Sequence, residues 1–473
     1  MTVTVSGSDL TLAEVVAVAR RHEPVAVAPV ALDRMARARA LADAARERGA
    51  ATYGLTTGLG VQKRASLDPN DAGFGWRQVA ESRAGVGRPA PPDAVRAAMV
   101  VFANQLAQGS TCLRPLFAER LVQALNDDLR PAVRSLGSLG ASDLAAMADL
   151  AQAVFSGVEL APGEGLALIN SGAYGTGLAA LALADAGRLV DAADVAGALA
   201  LEGFAANPGV LHPAVERARP DPVLSRTLAR LRALLEGSGL WREGAARNLQ
   251  DPLTYRSTPV IQAAARTALE HAQSRLQVEL NAAQGNPLVA LDDGLILSTS
   301  VYETVALSAA LDYVRTALAS MLVAAAERTV KLLDTPWSGL PTGLLAGGDP
   351  DLGLSILAIT AQSLAAEACL LAQPVSFTVT SSTGAEGIED RATHLPLSAR
   401  RLAEAVERGE GVVAVELLVA AQAVELRGAP ALGAGTGAAF ELVRRVVPFM
   451  RAGDVPPVDA EPVRALVHEG LIA

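Results

Sequence analysis

Long helical patterns dominate the second half of the chain. From residue 259 onward, apolar side chains recur every three or four residues, a period typical of amphipathic α-helices. The stretches with this period are 263–280, 305–333, 354–371 and 401–426. One face of the last stretch carries Val413, Leu417, Ala420 and Val424. Helices this long and apolar predict a central bundle that other subunits complete.

The first 170 residues alternate shorter helical patterns with loops rich in glycine and proline. A capped helix is predicted just after Ser8-Asp9, with others over 33–48, 76–83, 92–106, 114–125 and 144–155. Breaks are predicted at 52–60, 68–74, 85–92 and 157–165. The whole pattern predicts a mainly α protein, with an N-terminal head over 1–170 and a long-helix bundle domain over 171–473.

Composition narrows the class of protein. The chain is 51% hydrophobic but only 3% aromatic, which favours closely packed helices built from alanine and leucine. A net charge of −10 without a basic cluster argues against nucleic acid as a partner. The uncharged stretch 352–366 is shorter than the ~20 residues that a membrane span needs. We therefore expect no membrane partner.

The cysteines and histidines of the chain indicate the cellular compartment of the protein and whether it has a structural metal site. The two cysteines, Cys112 and Cys369, are far apart and form no disulfide framework. The start of the chain lacks the basic and apolar regions of a secretion signal, so a reducing, cytoplasmic location is expected. The five histidines have no ligand spacing, which predicts no structural metal site.

Two small-residue turns are candidates for chemistry. The segment GSLGASDLA (137–145) places glycine, alanine and serine in a tight turn before a helix that starts at Asp143. The segment TYGLTTGLG (52–60) places Tyr53 on a glycine-rich loop, where a partly solvated phenol suits proton transfer. Each also has a plain structural interpretation, as a capped helix start and as a tyrosine packed over a neighbour.

Several segments together resemble the histidine and phenylalanine ammonia-lyase family, the aromatic amino acid lyases. They occur in the family's order along nearly the whole chain: TYGLTTGLG, AGVGRP (84–89), GSLGAS, GLALIN, QDPLTYR (250–256), VELNAAQGNPLV (278–289) and the Glu389-Asp390 pair. One such match alone is weak, whereas an ordered set is specific. The resemblance implies an ammonia-lyase-like helical bundle assembled as a homotetramer with shared active sites.

The resemblance also implies roles by position. In the family an Ala-Ser-Gly tripeptide cyclises to a methylidene-imidazolone (MIO), an electrophile that activates the amine leaving group. Tyr53 is then expected to abstract the β-proton, and Arg256 to hold the substrate carboxylate through its fork of donors. Asn170 is expected to orient the amine or the electrophile, and Glu389 to sit beside the amine. An ion pair between helices is the structural alternative for Arg256 and Glu389.

The tripeptide departs from the family pattern. Here it is Ala141-Ser142-Asp143, and the family's glycine is missing because Asp143-Leu144 follows the serine directly. Cyclisation needs the third backbone nitrogen to attack the first carbonyl in a compressed turn, which a β-carbon obstructs. An aspartate also places negative charge beside a group that must accept electrons. We therefore expect no MIO and no other cofactor.

Other positions of the expected pocket differ as well. Leu253 stands where the family has tyrosine, with Tyr255 nearby, and we expect both to contact substrate. Ser82-Arg83 occupies the family's side-chain selectivity position, so Arg83 either binds an acidic substrate end or forms a salt bridge in the pocket wall. The family's Asn-Phe-His-Gly loop is replaced by Val301-Tyr302-Glu303-Thr304, which makes Tyr302 a further candidate catalytic residue.

These observations lead to one principal hypothesis and two alternatives. The principal hypothesis is an MIO-independent lyase that eliminates an amine or another leaving group from a small, carboxylate-bearing, amino-acid-like substrate. Without MIO, Tyr53 alone supplies only ~10²–10⁴-fold catalysis, so an acidified C–H or a better leaving group is required. The first alternative is an MIO-dependent ammonia-lyase or aminomutase with an unusual tripeptide. The second is an inactive homologue with a binding role.

Overall fold

The computed structural model describes residues 2–68, 71–346, 351–377 and 384–472, and α-helices account for most of them. In chain order the α-helices are α1 (Leu12–Arg20), α2 (Pro29–Glu47), α3 (Phe74–Ser82), α4 (Pro92–Ala107), α5 (Pro115–Asn126), α6 (Leu144–Phe155), α7 (Glu164–Ile169), α8 (Ala173–Phe204), α9 (Pro213–Ala218), α10 (Pro222–Leu234), α11 (Leu253–Arg256), α12 (Thr258–Leu280), α13 (Val305–Leu333), α14 (Thr335–Ser338), α15 (Ile356–Leu371), α16 (Leu395–Leu426), α17 (Ala434–Val446) and α18 (Glu461–His468).

Short strands and 3₁₀-helices complete the secondary structure. The strands pair two by two: β1 (Val3–Val5) with β2 (Val25–Val27) in parallel, and β3 (Val86–Pro89) with β4 (Arg134–Leu136) and β5 (Leu288–Ala290) with β6 (Leu295–Leu297) antiparallel. The 3₁₀-helices are Gly60–Gln62, Pro208–Leu211, Gly239–Trp241, Thr342–Leu344 and Gly384–Gly387.

The chain divides into two compact units. Unit 1 comprises residues 1–184, 272–311 and 374–400, and unit 2 comprises 185–271, 312–373 and 401–473. The division of the sequence into 1–170 and 171–473 stays a prediction. These units have different bounds, because they group together segments that are distant in sequence.

Unit 1 is built around α4, in which every residue from Ala94 to Ala107 is buried. This helix packs against α1 and α5, since its alanine and valine side chains are small enough for close approach. Nearby, α3 packs against α7 through a glycine contact. A β-carbon on Gly165 would lie 2.6 Å from both the Cα and the carbonyl oxygen of Gly75.

Unit 2 contains a fully buried ion pair between α13 and α16. The Arg328 guanidinium donates to the Glu416 carboxylate at 2.5 Å and 3.0 Å, and neither side chain is more than 1% exposed. A buried pair is tolerated when both partners are well bonded, and removing one partner alone leaves an unpaired buried charge. The predicted apolar face of α16 is buried in the same unit, at Val413, Leu417, Ala420 and Val424.

Most of the helices predicted from the sequence are present in the structure, and some of them begin at other residues than predicted. The bounds of α6 and α13 agree with the prediction, whereas α12 and α16 begin earlier than predicted. The first helix is capped by Thr11, whose hydroxyl accepts the Glu14 amide in a capping box, and Ser8-Asp9 precedes this cap. Two predicted breaks contain short elements, β3 within 85–92 and the start of α7 at Glu164.

Two helical stretches are long and apolar enough, by length and composition alone, to cross a membrane. They are 164–204 and Val305–Leu333, in which 89% and 67% of the most apolar window is buried. The core helices of a soluble protein have the same length and burial, so this finding is weak evidence for a membrane span.

The glycine contact between α3 and α7 predicts that one added methyl group at Gly165 lowers the stability of the protein. Gly165→Ala is expected to destabilise the protein by about 1–3 kcal/mol, because the new methyl meets the backbone of Gly75. The measurement is the midpoint of thermal unfolding. Gly187→Ala is the matched control, since a β-carbon at Gly187 in α8 meets nothing within 4 Å and is expected to stabilise by ~0.5–1 kcal/mol. Equal midpoints for the two variants would contradict the packing argument.

Candidate active site

The turn at residues 137–143 is held against the segment that precedes α16. The amides of Thr393 and His394 donate to the Leu139 carbonyl at 3.1 Å and 2.8 Å, and the Thr393 hydroxyl donates to the Gly140 carbonyl at 2.9 Å. Gly140 has φ +80°, and a β-carbon there would lie 2.3 Å from the Thr393 hydroxyl. Ser142 has φ +60°, a left-handed conformation that side chains other than glycine rarely adopt. The turn is therefore compressed and fixed.

Asp143, the third residue of the tripeptide, is completely buried. Its amide donates to the Ser171 carbonyl at 2.8 Å, while its carboxylate accepts the Ser138 hydroxyl at 2.5 Å and the Gly175 amide at 2.7 Å. Burial raises the pKa of the carboxyl to about 6, against the opposing effect of these two donors. Asp143 is the N-cap residue of α6, but its side chain bonds the start of α8 and not α6.

Asn170 connects the tripeptide to a neighbouring loop. The Ser142 hydroxyl donates to Oδ1 of Asn170, whose own amide donates to the Asn286 carbonyl at 2.7 Å. Asn170 follows directly after α7, so the packing of α7 on α3 also sets the position of this side chain.

A cavity of about 710 Å³ in unit 1 brings most of the predicted site together. The predicted residues that line it are Tyr53, Ser82, Ala141, Ser142, Asn170, Tyr302 and Glu389. Asp143 lies directly behind the tripeptide wall, with its side chain turned away into the core. A cavity of this size, lined by apolar groups and a few convergent polar ones, is typical of a small-molecule site.

Two phenols lie in this cavity. The Tyr53 hydroxyl oxygen accepts the Gly60 amide at 3.1 Å, so the phenol hydrogen is directed elsewhere. Partial burial raises the pKa of Tyr302, and the nearby carboxylates of Glu389 and Glu303, together with Tyr53, raise it further. Tyr302 is therefore a protonated group near neutral pH and can donate a hydrogen bond.

Arg83 does not line the cavity, and the salt-bridge alternative is the one observed. Its guanidinium lies 3.1 Å from the Asp149 carboxylate, which also binds the Arg134 guanidinium at 2.6 Å. Asp149 is almost fully buried on α6. Burial would raise the pKa of this carboxyl, but the bonds from Arg134 and Arg83 outweigh burial and lower it.

Three predicted residues belong to the short helix α11 in unit 2. Arg256 donates to the Asp251 carbonyl at 2.7 Å through Nε, and Leu253 is exposed. Tyr255 is completely buried, stacks on Phe204 and donates its hydroxyl to the Arg328 carbonyl at 2.9 Å. This placement argues against the predicted substrate contact of Tyr255, because its ring and hydroxyl are occupied by the core.

Several residues that line the cavity lie outside the motifs recognised in the sequence. Gln78 and Glu81 precede Ser82 on α3 by four and one positions, and Asn286 and Arg391 lie on loops. The helical spacing of Gln78 and Ser82, four residues apart, was an available signal for a shared face. In the described part of the chain, no group of three or more His, Cys, Asp or Glu side chains is placed to hold a metal ion.

Comparison with known proteins identifies the class of this protein as carbon–nitrogen lyase. The model of the aromatic amino acid lyase family matches residues 10–157 and 150–445 of this chain. The chain belongs to this family, which confirms the predicted resemblance, the mainly α fold class and the enzyme class.

Individual proteins extend the comparison. A histidine ammonia-lyase of Symbiobacterium thermophilum is 35% identical over 489 aligned residues, which cover 98% of this chain and 96% of that one. The tyrosine aminomutase of Streptomyces globisporus superposes with a TM-score of 0.91 at 28% identity, covering 100% of this chain and 98% of the other. Ergothionase, an ergothioneine-degrading enzyme of Treponema denticola, superposes with a TM-score of 0.94, covering 100% of this chain and 99% of the other. Because the two chains are only 24% identical, this likeness shows the fold alone.

The buried carboxyl of Asp143 predicts a pH-dependent penalty on folding. Its pKa of about 6 lies above the ordinary 3.8, so between those values the unfolded chain ionises while the folded protein keeps the proton. The contribution of this carboxyl to the free energy of unfolding of the wild-type protein therefore falls as pH rises from about 4 to 6. Asp143→Asn does not titrate, so its stability relative to wild type is expected to rise over this window by about 3 kcal/mol. Denaturant unfolding at each pH measures the difference.

Asp149→Asn is the matched control on the same helix. The pKa of Asp149 is lowered, so its ionised form stabilises the folded state, and this contribution is lost as pH falls. Relative to wild type, the Asp149→Asn variant is expected to lose stability as pH rises. A stability difference with the same pH dependence in both variants would contradict the assignment for Asp143.

Proposed function

We propose that this protein is an MIO-independent lyase that eliminates an amine or another leaving group from a small, carboxylate-bearing, amino-acid-like substrate. The observation that carries this proposal is the state of Asp143 in the tripeptide turn. Because the family's glycine is missing, a buried aspartate follows Ser142 directly, and both its amide and its carboxylate are engaged in hydrogen bonds.

The residues of the turn do not fit MIO formation. Cyclisation requires the Asp143 nitrogen to attack the Ala141 carbonyl, but that amide donates to the Ser171 carbonyl at 2.8 Å. Its carboxylate anchors the side chain through Ser138 and Gly175, so turning the backbone would break these bonds as well. Freeing a buried carboxylate from its donors is costly. The loss of the family's glycine therefore opposes MIO formation in both sequence and geometry.

A reaction without MIO is accessible to the remaining residues. Tyr53 acts as its phenolate and becomes a phenol when it takes the β-proton of the substrate. The C–H electron pair forms the Cα–Cβ double bond, and the leaving nitrogen departs with the Cα–N electron pair. The Gly60 amide donates to the Tyr53 oxygen at 3.1 Å and so holds the phenol ring in place on its loop. Tyr302 and Asn170 supply hydrogen bonds in the same cavity, and Arg256 is assigned to the substrate carboxylate from the family motif.

The leaving group must then be better than ammonia. General-base catalysis by one phenol supplies only ~10²–10⁴-fold, which is too little for ammonia to leave an ordinary amino acid. A quaternary ammonium leaves as a neutral amine without first needing a proton. Glu389 lies in the cavity with Tyr53 and offers a carboxylate for such a cationic group.

A second candidate is an MIO-dependent ammonia-lyase or aminomutase. The observation that favours it is the 35% identity to a histidine ammonia-lyase over 98% of this chain, together with the likeness to a tyrosine aminomutase. A third, an inactive binding homologue, is disfavoured because Tyr53, Asn170 and Glu389 share one cavity. A site without catalysis has no physical need for all three.

We also propose a cytoplasmic homotetramer with active sites shared between subunits. Apolar side chains exposed on α15 of unit 2, among them Ile356, Ile359 and Leu370, support burial against other copies of the chain. Cys112 and Cys369 are both free thiols, as expected in a reducing compartment.

Intact mass decides between the first two candidates. MIO formation removes two molecules of water, so the purified protein is expected to have the unmodified mass of its sequence. A family member with the Ala-Ser-Gly tripeptide, purified in parallel, is the positive control for the loss. A mass lower by two waters, located by peptide mapping to residues 141–143, would overturn the proposal.

The assignment of the base predicts the effect of removing one hydroxyl. With the Nα-trimethyl betaines of histidine and phenylalanine as probes, Tyr53→Phe is expected to lower elimination by about 10²–10⁴-fold. Binding of the probes should change little, because the ring is retained. Release of trimethylamine and the absorbance of the unsaturated acid measure turnover.

Tyr313→Phe is the matched control, since it removes a phenol from an exposed position on α13 in unit 2. Its elimination rate should equal that of wild type. Full elimination activity in the Tyr53→Phe variant would refute the role of this residue.

A further inference from the structure

A second cavity, of about 590 Å³, borders the loop that carries Tyr53 in unit 1, and the proposed reaction does not use it. The loop residues that line this second cavity are Ala51, Leu55, Thr56 and Thr57. Tyr53 does not line it, but lines the cavity of about 710 Å³, the reaction cavity. The loop of the proposed base therefore borders both cavities.

Arg46, near the end of α2, lines the second cavity with a half-buried side chain. Within the described part of the chain its guanidinium forms no hydrogen bond and no ion pair. Arg39, two turns earlier on the same helix, is by contrast paired with Asp43. A guanidinium presents a fork of donors that suits a carboxylate. Arg46 is therefore a free anion-binding group in this cavity.

Glu159, on the loop after α6, supplies an exposed carboxylate to the same cavity. Arg114 donates to the main-chain carbonyl of Glu159 at 2.7 Å, but forms its ion pair with Glu164 at 2.8 Å. Arg114 interacts with the Glu159 carboxylate only at longer range. Among the residues that the structure describes, this carboxylate has no ion pair, so it is available to a cation.

The remaining wall of the second cavity is mostly apolar, with two further carboxylates. Asp71 is bound to Arg77, and Asp68 lies on the same segment. The apolar side chains are those of Leu55, Phe74, Leu160 and Pro162. Apolar walls supply affinity and a few polar groups orient the ligand. A small zwitterion with an apolar body matches this combination of groups.

The second cavity also touches both arms of a hairpin in the Tyr53 loop. The Leu67 amide donates to the Thr56 carbonyl at 3.1 Å, and Thr57 pairs with Ser66 in a single β-bridge. All four of these residues line the second cavity. A ligand bound there therefore contacts both arms of the hairpin.

The tip of the same hairpin holds the proposed base. The Gly60 amide donates to the Tyr53 hydroxyl oxygen at 3.1 Å. Leu59, Gly60 and Val61 line the reaction cavity together with Tyr53. A ligand that fixes the arms of the hairpin thus also restrains the tip that positions Tyr53.

We propose that the second cavity is a regulatory site for a small zwitterion with an apolar body, an α-amino acid, whose carboxylate binds Arg46 and whose ammonium group binds Glu159. Occupancy fixes the hairpin over 56–67 and thereby the position of Tyr53. Because coupling between two binding sites is reciprocal, a ligand in the reaction cavity changes the affinity of the second cavity by the same factor. The inference concerns a second site and does not depend on which elimination the reaction cavity performs.

Calorimetric titration with free leucine tests the site, because nothing in the leucine side chain acidifies its β-hydrogen for elimination. Wild type is expected to bind leucine at least about tenfold more tightly than leucinamide, which lacks the carboxylate, or 4-methylpentanoate, which lacks the ammonium group. Arg46→Met is expected to weaken leucine binding by about tenfold or more. Its unfolding midpoint should equal that of wild type, because the guanidinium has no partner to lose.

Two further variants complete the test of the site. Arg48→Met is the matched control, since it removes an exposed arginine that does not line the second cavity. It should bind leucine as wild type does. Glu159→Gln is expected to bind leucine and 4-methylpentanoate equally, and it replaces Arg46→Met if the latter does not fold.

Hydrogen exchange of the backbone amides over 52–67 measures the coupling to Tyr53. Saturating leucine is expected to slow this exchange in wild type and to leave it unchanged in Arg46→Met. Unweakened leucine binding in Arg46→Met, or equal binding of leucine, leucinamide and 4-methylpentanoate to wild type, would overturn the site. Leucine binding without slower exchange over 52–67 would overturn the regulatory role. Failure of wild type to eliminate the betaine probes would refute the proposed lyase and leave leucine binding unchanged.

Discussion

The carboxylate of Asp143 is the contact on which the geometry of the site depends. It joins Ser138, at the start of the tripeptide turn, to the Gly175 amide in the first turn of α8. Helix N-termini present unsatisfied amides and favour negative charge, which offsets part of the cost of burying a carboxylate. The left-handed Ser142 and the compressed backbone at Gly140 are held between this anchor and the Thr393 segment. The anchor thus fixes the residue that directly follows Ser142.

This constraint links the chemistry of the site to its packing. In the family, the residue after the serine must supply a nucleophilic nitrogen, whereas here that nitrogen is a donor to Ser171. The turn is retained as a rigid wall of the cavity, with the Ser142 hydroxyl bound to Asn170. A rigid wall can still orient a substrate for a base such as Tyr53. The proposed elimination without the family's electrophile depends on this rigid wall and on a leaving group better than ammonia.

The placement of α3 likewise determines which side chains of this helix face the cavity. Gly75 and Gly165 allow α3 to approach α7 closely, which directs Gln78 and Ser82 into the cavity. Arg83, the next residue after the helix, points instead toward Asp149, which also forms an ion pair with Arg134. Arg83 therefore stabilises the wall from outside, and the polar groups of α3 that face the cavity are an amide, a hydroxyl and a carboxylate.

The sequence alone determined the helices and the family, because both depend on local periodicity and on ordered motifs. The bounds of α6 and α13 follow from runs of alanine and leucine, and Tyr53, Ser142, Asn170 and Glu389 follow from motif positions. Only the tertiary structure decided which side chains share the cavity. Tyr255 and Arg83 are bound to Arg328 and Asp149, and Gln78 lines the cavity from α3, which a glycine contact holds against α7, a helix distant in sequence. Such partners are chosen by packing between segments, which no local pattern records.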